Sequence, residues 1–212
     1  MTDTRRMPLS YYAGIGIMVL RAAIYFIIRL RLPQRVVMDR GARIRGLANV
    51  EFRGWAKLGA HALLDARYCD GVVLGRGFSL GDHSIMRCSG SPLFTCPGVA
   101  IGNGVTFGPF CNVGGGYGLT IGDDNIFGPY VSLHPETHVV DDLDRPIRQQ
   151  GVTGQGIVIE ADNWFGAKVT VLDGSILGTG NIIAAGAVVT PGSRGSRRIL
   201  GGIPVRELGV RS

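Results

Sequence analysis

The stretch IVIEADNWFGAKVTVLDGSILGTGNIIAAGAVVT, residues 157–190, decides the fold. Its large apolar residues fall six positions apart, at Ile159, Phe165, Val171, Leu177, Ile183 and Val189. The smaller Val169, Ser175 and Ala187 each follow a neighbour by four. A step of six matches neither the turn of an amphipathic helix nor the alternation of a half-buried strand. It predicts a β-solenoid, in which each short strand sends one large residue inward before a tight corner. Earlier runs keep the step: Leu74, Leu80, Met86; Ile101, Phe107, Val113; Ile121, Phe127, Leu133. Glycine follows many of these residues, as in Phe107-Gly108, Phe127-Gly128 and Phe165-Gly166. Three hexads, about eighteen residues, complete one triangular turn, and a turn buries its apolar residues only against its neighbours.

Composition fits one such solenoid with an appendage. The chain has 212 residues, 45% of them apolar, and a mean hydropathy of +0.22, which argues against disorder. Its 34 glycines are roughly twice the usual share of ~7%, an excess the repeat explains. Cys69, Cys88, Cys96 and Cys111 show no CxxC pair, so neither a zinc cluster nor a disulfide framework is expected. Cys111 occupies a small-residue slot of a hexad and reads as a buried thiol.

Charge is concentrated at the N-terminal end. Residues 1–53 carry ten arginines against Asp3, Asp39 and Glu51, leaving a slightly acidic remainder within an overall +6. A nucleic-acid surface on the solenoid is therefore not expected. From Leu9 to Ile28 the only charge is Arg21, in LSYYAGIGIMVLRAAIYFII. As a helix of ~1.5 Å rise per residue, that run matches a hydrocarbon core of ~30 Å. Arg21 inside it and arginines at both ends suit an interfacial helix, with Arg21, Arg29 and Arg31 at anionic head groups. A membrane span and a helix packed only on protein are the other two readings. A secretory signal is not expected, because Arg21 interrupts the apolar part.

The hexads break between Leu133 and Ile159, a step of 26, so about twenty residues leave the solenoid as a loop. That segment, HPETHVVDDLDRPIRQQGVTGQG, holds two of the four histidines, His134 and His138. Long loops on rigid scaffolds are common places for binding and catalysis.

Residues 157–190 resemble the C-terminal coils of the hexapeptide-repeat acyltransferases, and within them the galactoside, maltose and surface-polysaccharide O-acetyltransferases. The run Thr137-His138-Val139-Val140-Asp141-Asp142-Leu143-Asp144-Arg145 resembles that group's histidine loop, and Gly202-Ile203-Pro204-Val205-Arg206 its closing element. The resemblance covers about residues 70–206. It implies an all-β, left-handed parallel β-helix over 36–195, with a catalytic loop at 134–157. An apolar helix at 1–35 and a tail at 196–212 flank it. It further implies a homotrimer using acetyl-CoA as co-substrate, with no permanently bound cofactor and no metal. Direct transfer to a sugar hydroxyl follows, because no acyl-enzyme nucleophile is evident.

The site residues follow by the same resemblance. His138 aligns with the catalytic histidine, and an imidazole with an ordinary pKa of ~6.5 suits a general base. His134 is its rival. Glu136, Asp141 or Asp142 is a candidate to orient the ring, and the sequence does not choose among them. The Gly166–Ala167 corner is expected to supply oxyanion donors. Trp164, Ala185, Thr190 and Arg206 fall on coenzyme-contacting positions. Where relatives place lysine after the threonine this chain has Pro191, and Arg194, Arg197 or Arg198 is expected to replace that charge. Gly108 stands where simple-sugar enzymes carry asparagine, and Gly114–Gly116 follow it. Both features argue for a bulky acceptor, a polysaccharide unit or its lipid-linked precursor at the cytoplasmic face of the cell membrane. Two other functions compete: a carbonic-anhydrase-like zinc enzyme using His134 and His138, and a non-catalytic scaffold. The zinc enzyme lacks an evident third ligand, with His83 outward and His61 coils away.

Overall fold

The structure is a computed structural model that describes residues 9–28 and 34–212, with side chains described from Tyr12 onward in the first segment. Three long sheets, one of nine strands and two of seven, form the walls of a triangular coil. Chain-consecutive strands lie on different walls. Each strand instead pairs in parallel with its counterpart one coil away, as Ile157–Ile159 does with Leu119–Ile121. The parallel stacking begins at Val36–Met38 and runs on to Arg198–Gly201, where Arg206–Val210 folds back antiparallel.

The hexad positions build the interior. Ile159, Phe165, Val171, Leu177, Ile183 and Val189 are each at most 1% exposed, and the earlier inward residues at most 3%. Burying each such side chain contributes about 1.5–3 kcal/mol. Equivalent residues of successive coils lie directly above one another. The rings of Phe107, Phe127 and Phe165 accordingly stack at 4.3 and 4.4 Å between centroids.

Glycine after the inward residue serves a purpose other than an unusual φ. A Cβ on Gly166 would lie 2.6 Å from the Ala185 nitrogen, so the next coil's main chain excludes any side chain there. The left-handed corner positions lie elsewhere and accept larger residues. His61, His83, Phe110 and Tyr130 adopt φ of 57°, 57°, 59° and 60° at one corner of successive coils. Their rings stack face to face at 5.1, 5.1 and 5.0 Å. A second column is polar and buried. Asn163 donates its main-chain N–H to Asn125 Oδ1 at 3.0 Å, and Asn181 donates to Asn163 Oδ1 at 2.8 Å.

Helix α1, Leu9–Ile28, docks on the first coil. Ala22 and Phe26 are each 1% exposed, and the Tyr25 hydroxyl donates to the Ile44 carbonyl at 2.6 Å. Arg21 turns inward too, donating to the Met38 carbonyl at 3.2 Å and to Asp39 at 3.3 Å. Its expected place at a head group is thereby corrected, since a carboxylate of the first coil competes for the charge. Arg29 and Arg31 lie outside the described residues. Ile17, Leu20, Ile24, Ile27 and Ile28 form the opposite, exposed face. No helix among the described residues is long and apolar enough to cross a membrane.

Two excursions interrupt the coil. One, between Ile85–Arg87 and Val99–Ile101, brings Cys88 and Cys96 back against Cys69. The solenoid thereby joins cysteines that the sequence keeps apart. Cys111 is buried in a hexad slot, 2% exposed.

Candidate functional site

The second excursion leaves the coil after Leu133, and Pro135 is buried at its exit. Thr137–His138 and Val152–Thr153 pair antiparallel, so the loop carries its own hairpin. The Gln150 side-chain amide bridges its tip, donating to the carbonyls of Asp142 at 2.7 Å and Arg145 at 2.8 Å. The base is pinned twice. Tyr117 donates its hydroxyl to the Val152 carbonyl at 2.7 Å. The largely buried Asp173 carboxylate accepts main-chain N–H groups of Gln155 at 2.9 Å and Gly156 at 2.8 Å. Asp173 and Tyr117 were not legible as anchors, because their partners lie in other coils.

His138 is exposed on this hairpin, with Nδ1 3.3 Å from the Gly151 carbonyl oxygen. A carbonyl only accepts, so this contact puts the proton on Nδ1 and leaves Nε2 as the basic nitrogen. The orienting partner is main chain, whereas the sequence pointed to Glu136, Asp141 or Asp142. Asp142 instead accepts the Asp144 N–H at 3.0 Å and lies 4.0 Å from Arg145. His134 ends the strand Ser132–His134 and lines a separate polar recess of about 210 Å³ with Arg87, Asn112 and Glu136.

Gly114 lines this recess, and Gly108 follows the strand Thr106–Phe107. A Cβ on Gly114 would meet Pro135 Cδ at 2.9 Å, and one on Gly108 would meet the Pro129 nitrogen at 2.9 Å. Close packing against the next coil accounts for glycine at both positions. No described trio of His, Cys, Asp and Glu that could share a metal includes a histidine. His61 and His83 are stacked on each other at 5.1 Å.

Among the C-terminal coils, Trp164 points outward, 54% exposed, in register between Ile126 and Ile182. Gly166 donates its N–H to the Ile183 carbonyl at 2.8 Å, so of its corner only the Ala167 amide is left to serve an oxyanion. Ala185 is exposed at the equivalent corner one coil on. Of the three candidate arginines, Arg194 reaches Thr190, donating to its hydroxyl at 3.3 Å. Arg198 is taken by Glu207 at 2.9 Å. Arg206 is exposed at the start of the closing antiparallel strand.

A parallel triangular coil with a protruding histidine hairpin defines a recognisable class. No protein-family model matches the sequence. A probable acetyltransferase of Mycobacterium tuberculosis is 28% identical over 118 residues, 56% of this chain and 37% of that protein. Galactoside O-acetyltransferase of Lactococcus lactis is 34% identical over 73 residues, 34% of each chain. Among solved structures, an S84A variant of the Bacillus cereus N-acyltransferase AntD matches with a TM-score of 0.56. It is 15% identical over 84% of this chain and 82% of that one, in complex with dTDP-4-amino-4,6-dideoxyglucose and coenzyme A. The chain thus aligns with about a third of the length of these two curated relatives. The fold is the left-handed parallel β-helix, and the chain is similar to hexapeptide-repeat acyltransferases.

Proposed function

We propose that this protein transfers an acetyl group from acetyl-CoA to a hydroxyl of a sugar in a cell-surface polysaccharide or its lipid-linked precursor. The observation that carries this reading is the His138–Gly151 contact, which leaves Nε2 on an exposed hairpin free to take a proton. As the sugar oxygen attacks the thioester carbonyl carbon, Nε2 accepts the hydroxyl proton. Collapse of the tetrahedral intermediate breaks the C–S bond, and the imidazolium returns that proton to the departing coenzyme thiolate. The Ala167 N–H is the candidate donor to the oxyanion. Trp164, Ala185, Thr190 with Arg194, and Arg206 are the candidate coenzyme contacts, and His134 is assigned to acceptor binding in its recess.

The sugar class is supported by the galactoside O-acetyltransferase relative and by the amino-sugar nucleotide bound to AntD. In the proposed assembly, a homotrimer, the hairpin of one subunit serves coenzyme held against the next. The exposed apolar face of α1 supports a place at the cytoplasmic surface of the cell membrane, where lipid-linked saccharides reside.

The test uses full-length protein, radiolabelled acetyl-CoA and a membrane fraction containing lipid-linked saccharides. Label that enters the glycolipid and is released by mild alkali, as an ester is, supports the reading. Alkali-stable label would make it an N-acyltransferase, and no transfer above a boiled control would remove the assignment.

A further inference from the structure

Three of the four cysteines meet at one point inside the solenoid. The sulfurs of Cys69, Cys88 and Cys96 all lie within 4.8 Å of one another, and the residues are 5%, 1% and 0% exposed. Their backbones are held from both sides by coil-to-coil hydrogen bonds. Cys96 donates its N–H to the Tyr68 carbonyl at 2.9 Å, Asp70 donates to the Cys96 carbonyl at 3.0 Å, and Cys88 donates to the Asp65 carbonyl at 3.0 Å. The sulfurs thus converge on main chain that is already fixed.

We propose that Cys69, Cys88 and Cys96 form a structural site for one thiophilic d10 metal ion, Zn(II) or Cu(I). A metal–sulfur bond of ~2.3 Å places three thiolates roughly 3.7–4.0 Å apart, which this cluster reaches by a small inward movement. A disulfide instead requires sulfurs at ~2.05 Å and leaves the third thiol over. The soft donor set selects soft ions over magnesium or calcium. The Gly71 and Gly115 carbonyls, 3.3 Å from the Cys69 sulfur and 3.4 Å from that of Cys96, offer a fourth ligand if zinc requires one. The Gly98 N–H, 3.4 Å from the Cys96 sulfur, offsets part of the thiolate charge.

The location gives the site a task. Cys88 and Cys96 bracket an excursion that carries Phe94, whose ring packs 4.7 Å from that of Tyr117. Tyr117 in turn holds the Val152 carbonyl at 2.7 Å, and Val152 pairs with His138 across the hairpin. A metal at the cluster fastens the first link of that chain. The site's existence does not depend on the proposed reaction, because metal content is read without substrate.

The test is metal analysis of the full chain, purified under reducing conditions without chelator and then supplied with Zn(II) or Cu(I) in separate arms. One equivalent per chain is expected. Competition with a zinc or a copper(I) chelator identifies which ion binds more tightly. Co(II) should produce the thiolate-to-metal charge-transfer absorption of a three-sulfur site. Each of Cys69→Ser, Cys88→Ser and Cys96→Ser should weaken binding at least about a hundredfold, and Cys111→Ser should leave it unchanged. If a serine variant fails to fold, X-ray absorption at the metal edge of the loaded wild type decides, since three sulfur neighbours at ~2.3 Å are expected. Less than a fifth of an equivalent bound in both arms would overturn the proposal. So would equal weakening by Cys111→Ser, or a mass lower by two hydrogens that shows a disulfide within the trio.

Discussion

The Nδ1 atom of His138 lies 3.3 Å from the carbonyl oxygen of Gly151, across the hairpin that leaves the solenoid. That carbonyl also accepts the Val139 N–H at 3.2 Å, so its direction is set by main chain on both sides. Gly151 has φ of +90°, a conformation that side chains resist. His138→Ala is expected to lower kcat by about 10²–10⁴-fold with little change in KM for acetyl-CoA. Gly151→Ala, which keeps the imidazole but strains the backbone by about 1–3 kcal/mol, should lower kcat by a smaller factor. Steady-state release of coenzyme A checks both. An unchanged kcat in His138→Ala would remove the histidine from the chemistry.

Asn163 links the main chains of two coils, and its Oδ1 accepts the Asn181 N–H at 2.8 Å. The residue is 1% exposed, so nothing from solvent replaces a lost partner. Asn163→Ala strands a buried N–H and should destabilise the coil by about 1–3 kcal/mol. Asn163→Asp keeps the acceptor but loses the Nδ2 donation to the Glu160 carbonyl at 2.9 Å, and it buries a charge. Both should lower the midpoint of denaturant unfolding, and a value within error of wild type would contradict the ladder.

Asp65 is enclosed by arginines. Arg67 donates to it at 2.9 and 2.8 Å, while Arg45 and Arg87 stand 3.6 and 4.0 Å away. The Arg67 hydrogen bonds hold its carboxyl below the usual carboxylate range. The unfolded chain therefore binds that proton more readily. The stabilisation is complete above the unfolded value of about 3.9 and is lost as pH falls through the lower folded value. Asp65→Asn should cost about 1–3 kcal/mol near neutral pH, and the gap to wild type should narrow as pH falls below the unfolded value. Thermal melts of both proteins across that window measure it, and a gap that widens on acidification has the wrong sign.

The exposed face of α1 should matter for membranes and not for folding. Leu20→Glu with Ile24→Glu replaces residues 60% and 47% exposed, away from the Arg21, Tyr25 and Phe26 contacts with the first coil. Sedimentation with anionic phospholipid vesicles should fall at least about tenfold while the melting temperature is kept. Equal sedimentation of variant and wild type would mean that this face meets protein instead.

The candidate site was legible where one residue type in one segment carries the signal. The break at Leu133 announced the loop, and His138 stood out as an imidazole within it. Its partner did not, because a main-chain carbonyl leaves no trace in residue identity, and three acids nearby drew attention instead. Gly108 and the run Gly114–Gly116 read as acceptor features, but at 108 and 114 glycine also answers a packing demand. That demand comes from a neighbouring coil 2.9 Å from where a Cβ would stand.

What the sequence by itself determined is the six-residue period and hence the stacked coil, since burial of one large residue per strand is a local and repeating demand. It also announced the apolar helix and the point where the loop departs. Only the tertiary structure decided which residues meet across coils. Cys69 joined Cys96, Arg21 found Asp39, and Tyr117 took hold of Val152. The physical reason is that insertions of unequal length separate successive coils, so contacts one rung apart fall at irregular distances along the chain.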